Sequence, residues 1–520
     1  MSWRKEVEGI EQRRALAKLH GGAEAVAKQH ERGRLAVRER IDALVDPGSF
    51  SEHGTVAGAS EVDDAGNLKS FGPANVVTGI AKLDGRPVVV CGDDFTVGGA
   101  AYSSAGIRKG IYGDELAAKR RIPMVRLLEG GGAKISGALG AKGRSGYDLT
   151  SASPSNLVMA QALSTVPVVC LALGPVAGFP AARLAGSHLS IMTEHTAQVL
   201  IGGPALVERA TGEKLTKEEL GGAQVALRSG VVDNVAADEA DAFRQTRAFL
   251  AYLPSNISEP TPVAPSFDPR GRCEEKLLSV LPRERRRAYK MRRIVEWVFD
   301  HGSFFEMTPL YGRSQITGLA RLEGRTVGIF ANDPVHDGGS MTAAGARKVR
   351  RFIEFCDLFN LPIVALVDEP GFLIGLRAEQ EGTIRYGVEA LFAAIQSRVP
   401  WASVIVRKSF GVAAGIHLGP GAMTYAWPSA EFGAMPIEGG VALAYGREIA
   451  ASPDPDARRR EIEDDLAQAQ SVFPRAEEFG VHELIDPRQT RPALCSWLDE
   501  VKLALRANLA AGPPRYTLRP

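Results

Sequence analysis

Cysteine is scarce and unpaired in this 520-residue chain: five residues, an odd number, at 91, 170, 273, 356 and 495, with no Cys-x-x-Cys spacing. That excludes a disulfide framework and a zinc ribbon. Buried reduced thiols are the expectation, above all for Cys91 and Cys170, which stand in strand-like apolar runs. Nowhere do about 20 apolar residues follow one another, so no membrane-spanning helix is expected. The longest candidate, 166–179, is broken by Pro167, Gly174, Pro175 and Gly178. Net charge is nearly absent too: at +1 the chain lacks the basic footprint of a nucleic-acid binder. Also missing are a Gly-x-x-x-x-Gly-Lys-Ser/Thr phosphate loop, a Gly-x-Ser-x-Gly elbow with a suitably placed histidine and acid, and metal-ligand spacing among the nine histidines. The opening MSWRKEVEGIEQRRALAKLH has no apolar core of the kind a signal peptide needs, and its Glu6, Glu8 and Glu11 are foreign to transit peptides. It reads as a surface helix of a cytoplasmic protein.

What the chain does contain is a second copy of itself. Residues 78–109 reappear without a gap at 317–348, an offset of 239, with thirteen of 32 positions identical; composition alone gives roughly two or three. The register continues at the same offset from 122–135 to 361–374, placing Glu129 over Asp368 and Gly132 over Gly371. Farther on, Gly178 meets Gly411 at an offset of 233, so the second copy is six residues shorter in between. A period of this length is a domain, not a solenoid repeat. The runs Val88–Cys91, Met124–Leu128 and Val166–Leu173 are short and rich in β-branched residues, as buried strands are. Each copy therefore reads as strands, Gly-rich turns and helices in an α/β fold.

The copies meet at LPSNISEPTPVAPSFDPRGR (253–272), whose five prolines predict an extended connector. The expected division is an N-terminal domain over 1–255, a linker over 256–272 and a C-terminal domain over 273–520. A charged helix is expected near 455–470, with a solvated or oligomer-contacting face. The Gly-rich turns offer backbone N–H groups where a strand ends and a helix begins. Such groups are oxyanion donors, aided by the helix dipole. Two copies supply two such holes, which suits a reaction developing negative charge on two carbonyl oxygens.

Several separate stretches then point to a known family. GRLAVRERIDALVDPGSFSE (33–52), DDFTVGGA (93–100), EELGGAQV (218–225), AYKMRRIVEWVFD (288–300), FCDLFNLPIVALVDEPGFLIG (355–375), TIRYG (383–387), VIVRKSFG (404–411) and YAWPSAEFGAM (425–435) occur in the order of that family. The chain resembles the carboxyltransferase (β) subunits of biotin-dependent acyl-CoA carboxylases, of the propionyl-CoA carboxylase type. The resemblance implies two tandem crotonase-like (ClpP/crotonase) domains, a duplicated ββα superhelix. The first domain would hold acyl-CoA and the second, from a neighbouring subunit, biotin. It implies carboxyl transfer from N1-carboxybiotin to the enolate carbon of the thioester, with the biotin itself as base. It also implies biotin carried by a separate biotin carboxylase/biotin carboxyl carrier α subunit, no metal, and a homo-oligomer, commonly a hexamer.

Carried over residue by residue, the first hole falls on the amides of Gly178 and Phe179 and the second on Val412 and Ala413. Gly131, Gly132 and Ala133, with Gly371 and Phe372, match turns lining the substrate channel. Ala414 and Gly415 match the pocket floor, and the segment with Arg34, Arg38 and Arg40 matches a CoA-adjacent helix. Plainer readings stand beside these: Gly178 and Gly411 as turn formers, Gly131, Gly132 and Gly371 as packing glycines, and the arginines as surface charges. The departures are informative. Where the family commonly has Gly-Gly, this chain has Gly178-Phe179; where short-chain members have Gly-Gly-Ala-Tyr-Asp, it has Gly411-Val412-Ala413-Ala414-Gly415. The amides survive, but the side chains change, so the expected acceptor is larger or differently polar than propionyl- or acetyl-CoA. Ala288-Tyr289-Lys290-Met291 imitates a biotinylation site, yet it opens a helix-like run and is read as unmodified. The alternatives are a decarboxylase carboxyltransferase and a biotin-independent crotonase-like lyase or scaffold.

Overall fold

The computed structural model describes all residues except 1, 102, 133–148, 286, 470 and 513–520. Its two compact units divide between Ile257 and Ser258. In the first, helix α1 (Val37–Leu44) precedes an eight-stranded sheet: β1 (Ser51–His53), β2 (Val76–Leu83), β3 (Arg86–Asp93), β4 (Met124–Gly130), β5 (Val168–Ala177), β6 (Leu189–Thr193), β7 (Gln198–Leu200) and β8 (Asn234–Ala236). The strand order is β1-β2-β3-β4-β5-β6-β8, with β7 beside the far end of β5. Pairing is antiparallel through β3 and parallel beyond it. Helices α2 (Ser104–Arg120) and α3 (Phe179–Ala185) follow β3 and β5.

The second unit repeats this with β9 (Phe305–Met307), β10 (Gln315–Leu322), β11 (Arg325–Asn332), β12 (Ile363–Glu369), β13 (Trp401–Phe410), β14 (Met423–Ala426), β15 (Glu431–Gly433) and β16 (Glu483–Leu484). The order β9-β10-β11-β12-β13-β14-β16, with β15 on β13, and every strand sense are those of the first sheet. Even the irregularity matches: the ladder shifts between Leu128 and Gly130 in one sheet and between Val367 and Glu369 in the other. Helices α4 (Ala343–Leu358), α5 (Thr383–Gln396) and α6 (Gly411–Ala414) complete the part that concerns the site.

The first expected strand of each copy is in fact a hairpin. Leu83 pairs with Arg86, and Leu322 with Arg325, across two-residue turns in which Asp84 and Gly85 have φ of 52° and 80°, Glu323 and Gly324 of 52° and 75°. Positive φ at both central residues is the turn whose twist matches paired strands. A carboxylate holds each turn: Asp46 accepts from the Asp84 and Gly85 amides at 3.0 and 2.8 Å, Asp300 from Glu323 and Gly324 at 3.1 and 2.8 Å. The third strand also runs past the expected end, through Gly174 and Pro175 to Ala177. Gly174 is not a turn residue; a methyl there would lie 2.5 Å from the Glu129 carboxyl carbon.

From Ser258 onward the Pro-rich stretch belongs to the second unit, where Val263 bridges Arg325 and the Ala264 amide donates to Gly324 at 2.9 Å. Residues Pro455–Ala469 are helical, and Arg4–Ala17 is an exposed helix. Lys290 is the N-cap of the helix Met291–Val298, not a hairpin tip. Four cysteines are buried and Cys273 is exposed. Among the described residues no helix is long and apolar enough to cross a membrane, and no cluster of His, Cys, Asp and Glu could hold a metal ion.

Candidate functional site

Each unit places two Gly-rich turns at the carboxyl ends of neighbouring parallel strands, the usual location for ligands in α/β sheets. In the first unit, β4 ends in Glu129-Gly130-Gly131-Gly132. The Glu129 side chain is fully buried and accepts from Gln29 Nε2 at 2.6 Å, Arg34 Nη1 at 2.5 Å and Arg40 Nη1 at 2.6 Å. Arg40 also binds Glu239 at 2.8 Å. Burial lowers the Arg34 pKa, with the Glu129 charge opposing it. The surface-charge reading of Arg34 and Arg40 is thereby corrected: they close a buried ionic cluster that anchors the turn. Arg38 lies on the more open side of α1, where it binds Glu52 at 2.6 Å beside Lys109.

The glycines of this turn separate into two kinds. Gly132 has φ +76°, and a methyl on it would meet the Ala177 carbonyl oxygen at 3.0 Å and Gly178 Cα at 3.8 Å. Gly131 has nothing within 4 Å, so packing does not explain it. Ala133 lies outside the described residues. Gly178 takes φ +67° at the cap of α3, a conformation glycine adopts without a Cβ penalty. Its N–H donates to the Leu200 carbonyl at 3.3 Å, an extension of the β5–β7 pairing. That corrects the expectation of Gly178 as an oxyanion donor: its part is to turn the chain so that Phe179 begins the helix. Gly132, Phe179 and Pro180 line one cleft of about 70 Å³, with Val76, Ile107, Ile111 and Leu128 as apolar walls and Asp93 among its polar groups.

The second unit builds its counterpart with other side chains. Asp368, in the place of Glu129, accepts from Tyr289 Oη at 3.0 Å, Arg407 Nη2 at 2.9 Å and the Lys408 amide at 3.1 Å. Glu369 follows, fully buried, and accepts from the amides of Gly371 at 2.9 Å and Met341 at 3.3 Å and from Asn332 Nδ2 at 3.0 Å. Burial pushes its pKa up to about 8. Gly371 has φ +122° with open space where a Cβ would be, so it is conformational rather than packed. Phe372 pairs with Met341 along the backbone and lays its ring against Gly387 of α5, where a methyl would sit 2.2 Å from Cε1.

Helix α6 then opens at Gly411 with φ +64°. First-turn amides have no acceptor within a helix. Among the described residues none from outside α6 reaches the N–H groups of Val412 and Ala413. The Val412 side chain is 59% exposed, whereas Ala413 and Ala414 are buried at 0% and 6%. Gly415 is half-buried, with Leu391 of α5 3.4 Å from its missing Cβ. Of the two residues expected on the pocket floor, then, Ala414 packs into its own unit and Gly415 keeps surface.

Sequence reasoning missed Glu129, Asp368, Glu369, His417 and Asp93 as anchors of these turns. The signal was present for two of them, since Glu129 and Asp368 align in the repeat as acids at the end of an apolar strand. The arginines that pair with them lie 39 to 95 residues away and carry no local pattern.

Residues 28–506 match the carboxyl transferase domain family. The human mitochondrial propionyl-CoA carboxylase beta chain is 36% identical over 500 residues, covering 95% of this chain and 90% of that protein. The methylmalonyl-CoA decarboxylase subunit alpha of Veillonella parvula is 34% identical over 504 residues, 95% of each. Among solved structures, transcarboxylase 12S, described as a hexamer with methylmalonyl-CoA and methylmalonic acid bound, matches with a TM-score of 0.85 and 31% identity over 100% of this chain and 97% of its own. A single-chain, multi-domain long-chain acyl-CoA carboxylase matches with a TM-score of 0.82 and 30% identity, over 96% of this chain and 49% of that one.

Proposed function

Because the chain belongs to the carboxyl transferase family, as a carboxyltransferase of the biotin-dependent acyl-CoA carboxylase type with two crotonase-like units, we propose that it moves CO₂ from carboxybiotin, carried on a separate biotin carboxylase/carrier α subunit, to the enolate carbon of an acyl-CoA. The first unit takes the acyl-CoA and the second the biotin. Biotin, when bound, supplies the carboxyl group and, as in the family, accepts the α-proton. The work left to this chain is placement and electrostatics. The Phe179 amide donates to the thioester oxygen as negative charge grows on it. The amides of Val412 and Ala413 do the same for the ureido oxygen, and each such donor contributes on the order of 10²–10³ in rate. The observation that carries this reading is the pair of α6 amides that no acceptor outside the helix reaches among the described residues, at the strand end that mirrors the Phe179 turn.

The acceptor in this reading is not propionyl- or acetyl-CoA. Phe179 and Pro180 bring two rings into a cleft already walled by branched side chains, which supports a larger or differently polar acyl group. Steady-state rates over a panel of acyl-CoAs, with the chain reconstituted with a biotin-bearing partner, test both parts. Best activity on propionyl-CoA overturns the substrate, and activity insensitive to avidin overturns the biotin. The Veillonella relative, nearly as similar as the human one, supports a second reading as the carboxyltransferase of a decarboxylase. ATP-driven carboxylation in the reconstituted mixture favours the first reading; transfer only from a carboxyacyl-CoA onto biotin favours the second. A hexamer, the assembly described for transcarboxylase 12S, is the proposed quaternary state, to be read from the mass in solution.

A further inference from the structure

The first unit's cleft contains a carboxyl group that the transfer reaction above leaves unused. Asp93, at the end of β3, lines the same cleft as Gly132 and Phe179 and is only partly buried. The other polar groups there are engaged: Asp114 by Arg126 at 2.6 Å and Arg183 at 3.0 Å, and Ser103 by Asn75 at 2.7 Å. Asp93 Oδ2 accepts the Glu129 amide at 3.4 Å.

The repeat shows what this bond requires. In the second unit the same position is Asn332, whose Oδ1 accepts the amide of Asp368, the counterpart of Glu129, at 2.9 Å. Asn332 is fully buried, and its Nδ2 reaches Gln315, the Gly339 carbonyl and Glu369 at 3.3, 3.1 and 3.0 Å. An amide side chain therefore meets the structural need of this fold position, and a carboxyl does something an amide cannot.

We propose that Asp93 is a proton acceptor of the acyl-CoA cleft: it removes an α-proton from the bound thioester, so that this chain exchanges that proton with solvent without biotin or a partner subunit. The inference rests on the first unit being the acyl-CoA site. In the step, the Cα–H bond breaks, its electron pair stays on the thioester as an enolate, and an O–H bond forms on Asp93. That proton is lost to water and a solvent proton returns to carbon, so nothing is oxidised or reduced.

The surroundings suit the task. Burial raises the Asp93 carboxyl to about 6, while the charges of Arg183 and Arg40 and the bond from the Glu129 amide pull it down and the Glu129 charge adds to the rise. A base is most effective when its pKa lies near the working pH. Asp114, the other acid among the described lining residues, is held as a carboxylate by Arg126 and Arg183.

The test is proton NMR of propionyl-CoA and octanoyl-CoA in D₂O with the purified full chain and no biotin, alongside calorimetric binding of both. The expected result is loss of the α-proton signal at a rate that rises through pH about 6 and levels above it. Asp93→Asn should slow it by about 10²–10⁴, the usual contribution of a positioned base, while its melting temperature shows the variant folded. Binding without exchange, or equal exchange in folded Asp93→Asn, overturns the proposal and leaves the acyl-CoA site standing. Failure of both thioesters to bind overturns that site and the proposal with it.

Discussion

His417 Nε2 stands 3.3 Å from Glu369 Oε2, and neither side chain has any exposure. The imidazole stacks on Phe330, with centroids 4.1 Å apart, and ends the turn that follows α6; the carboxyl holds the turn that follows β12. The pair thus ties the two turns of the second unit together. In the first unit the corresponding positions are Gly130 and Leu184, and no such pair exists.

A pH dependence of stability follows from it. Burial raises Glu369 from an ordinary 4.5 to about 8 and lowers His417 from 6.5 to about 3. The folded chain keeps the Glu369 proton that the unfolded chain has released, so this group's contribution is full below about pH 4.5 and is lost as pH rises to about 8. His417 acts oppositely, its contribution being lost as pH falls from 6.5 towards 3. Between pH 6.5 and 8 only the Glu369 slope remains of the two. The melting temperature should fall across that window in the wild type and fall less in Glu369→Gln, whose amide still accepts the backbone bonds. Equal slopes in a calorimetric pH series would refute the assignment.

Removing the Glu129 carboxylate leaves Arg34 and Arg40 buried without their common partner. Glu129→Ala is expected to cost about 3–5 kcal/mol, the range for a broken buried pair, measured by urea unfolding. Arg34→Ala should also lose stability. A raised KM for acyl-CoA at unchanged stability would instead make Arg34 a ligand residue.

Gly132→Ala should disturb the first unit's cleft, which Gly132 lines. Its φ of +76° costs a side chain about 1–2 kcal/mol, and the methyl would press on the Ala177 carbonyl at 3.0 Å. A lower melting temperature with a fall in kcat/KM is the expected outcome. Gly131→Ala, with open space at its Cβ, should melt with the wild type.

Val412→Pro deletes one proposed donor at a helix position where proline is tolerated, within the first turn. Carboxyl transfer in the reconstituted enzyme should fall by about 10²–10³, with the fold intact by circular dichroism. A folded variant of undiminished activity would remove Val412 from the site.

Much of this was legible in the chain, and for local reasons. The duplication, the buried runs at 88–91 and 124–128 and the Gly-rich turns are patterns of neighbouring residues, and the sheets carry them at those positions. Asp84-Gly85 was legible as a hairpin turn as well. So was the recurrence of DPGSF (46–50) as DHGSF (300–304), an upstream extension of the repeat at an offset of 254. The roles of Arg34 and Gly178 were not. The first depended on Glu129, 95 residues away, the second on a carbonyl at Leu200 brought alongside β5 by β7.

By itself, then, the order of residues determined that there are two copies of one α/β unit, which strands are buried, and where chain reversals demand glycine, because those follow from hydrophobic period and backbone sterics over a few residues. Only the tertiary structure decided which backbone amides remain available, which charges are locked in pairs, and that Asp93 rather than an amide faces the cleft of the first unit. Those depend on partners distant along the chain, whose meeting is a property of the assembled sheet and of no segment within it.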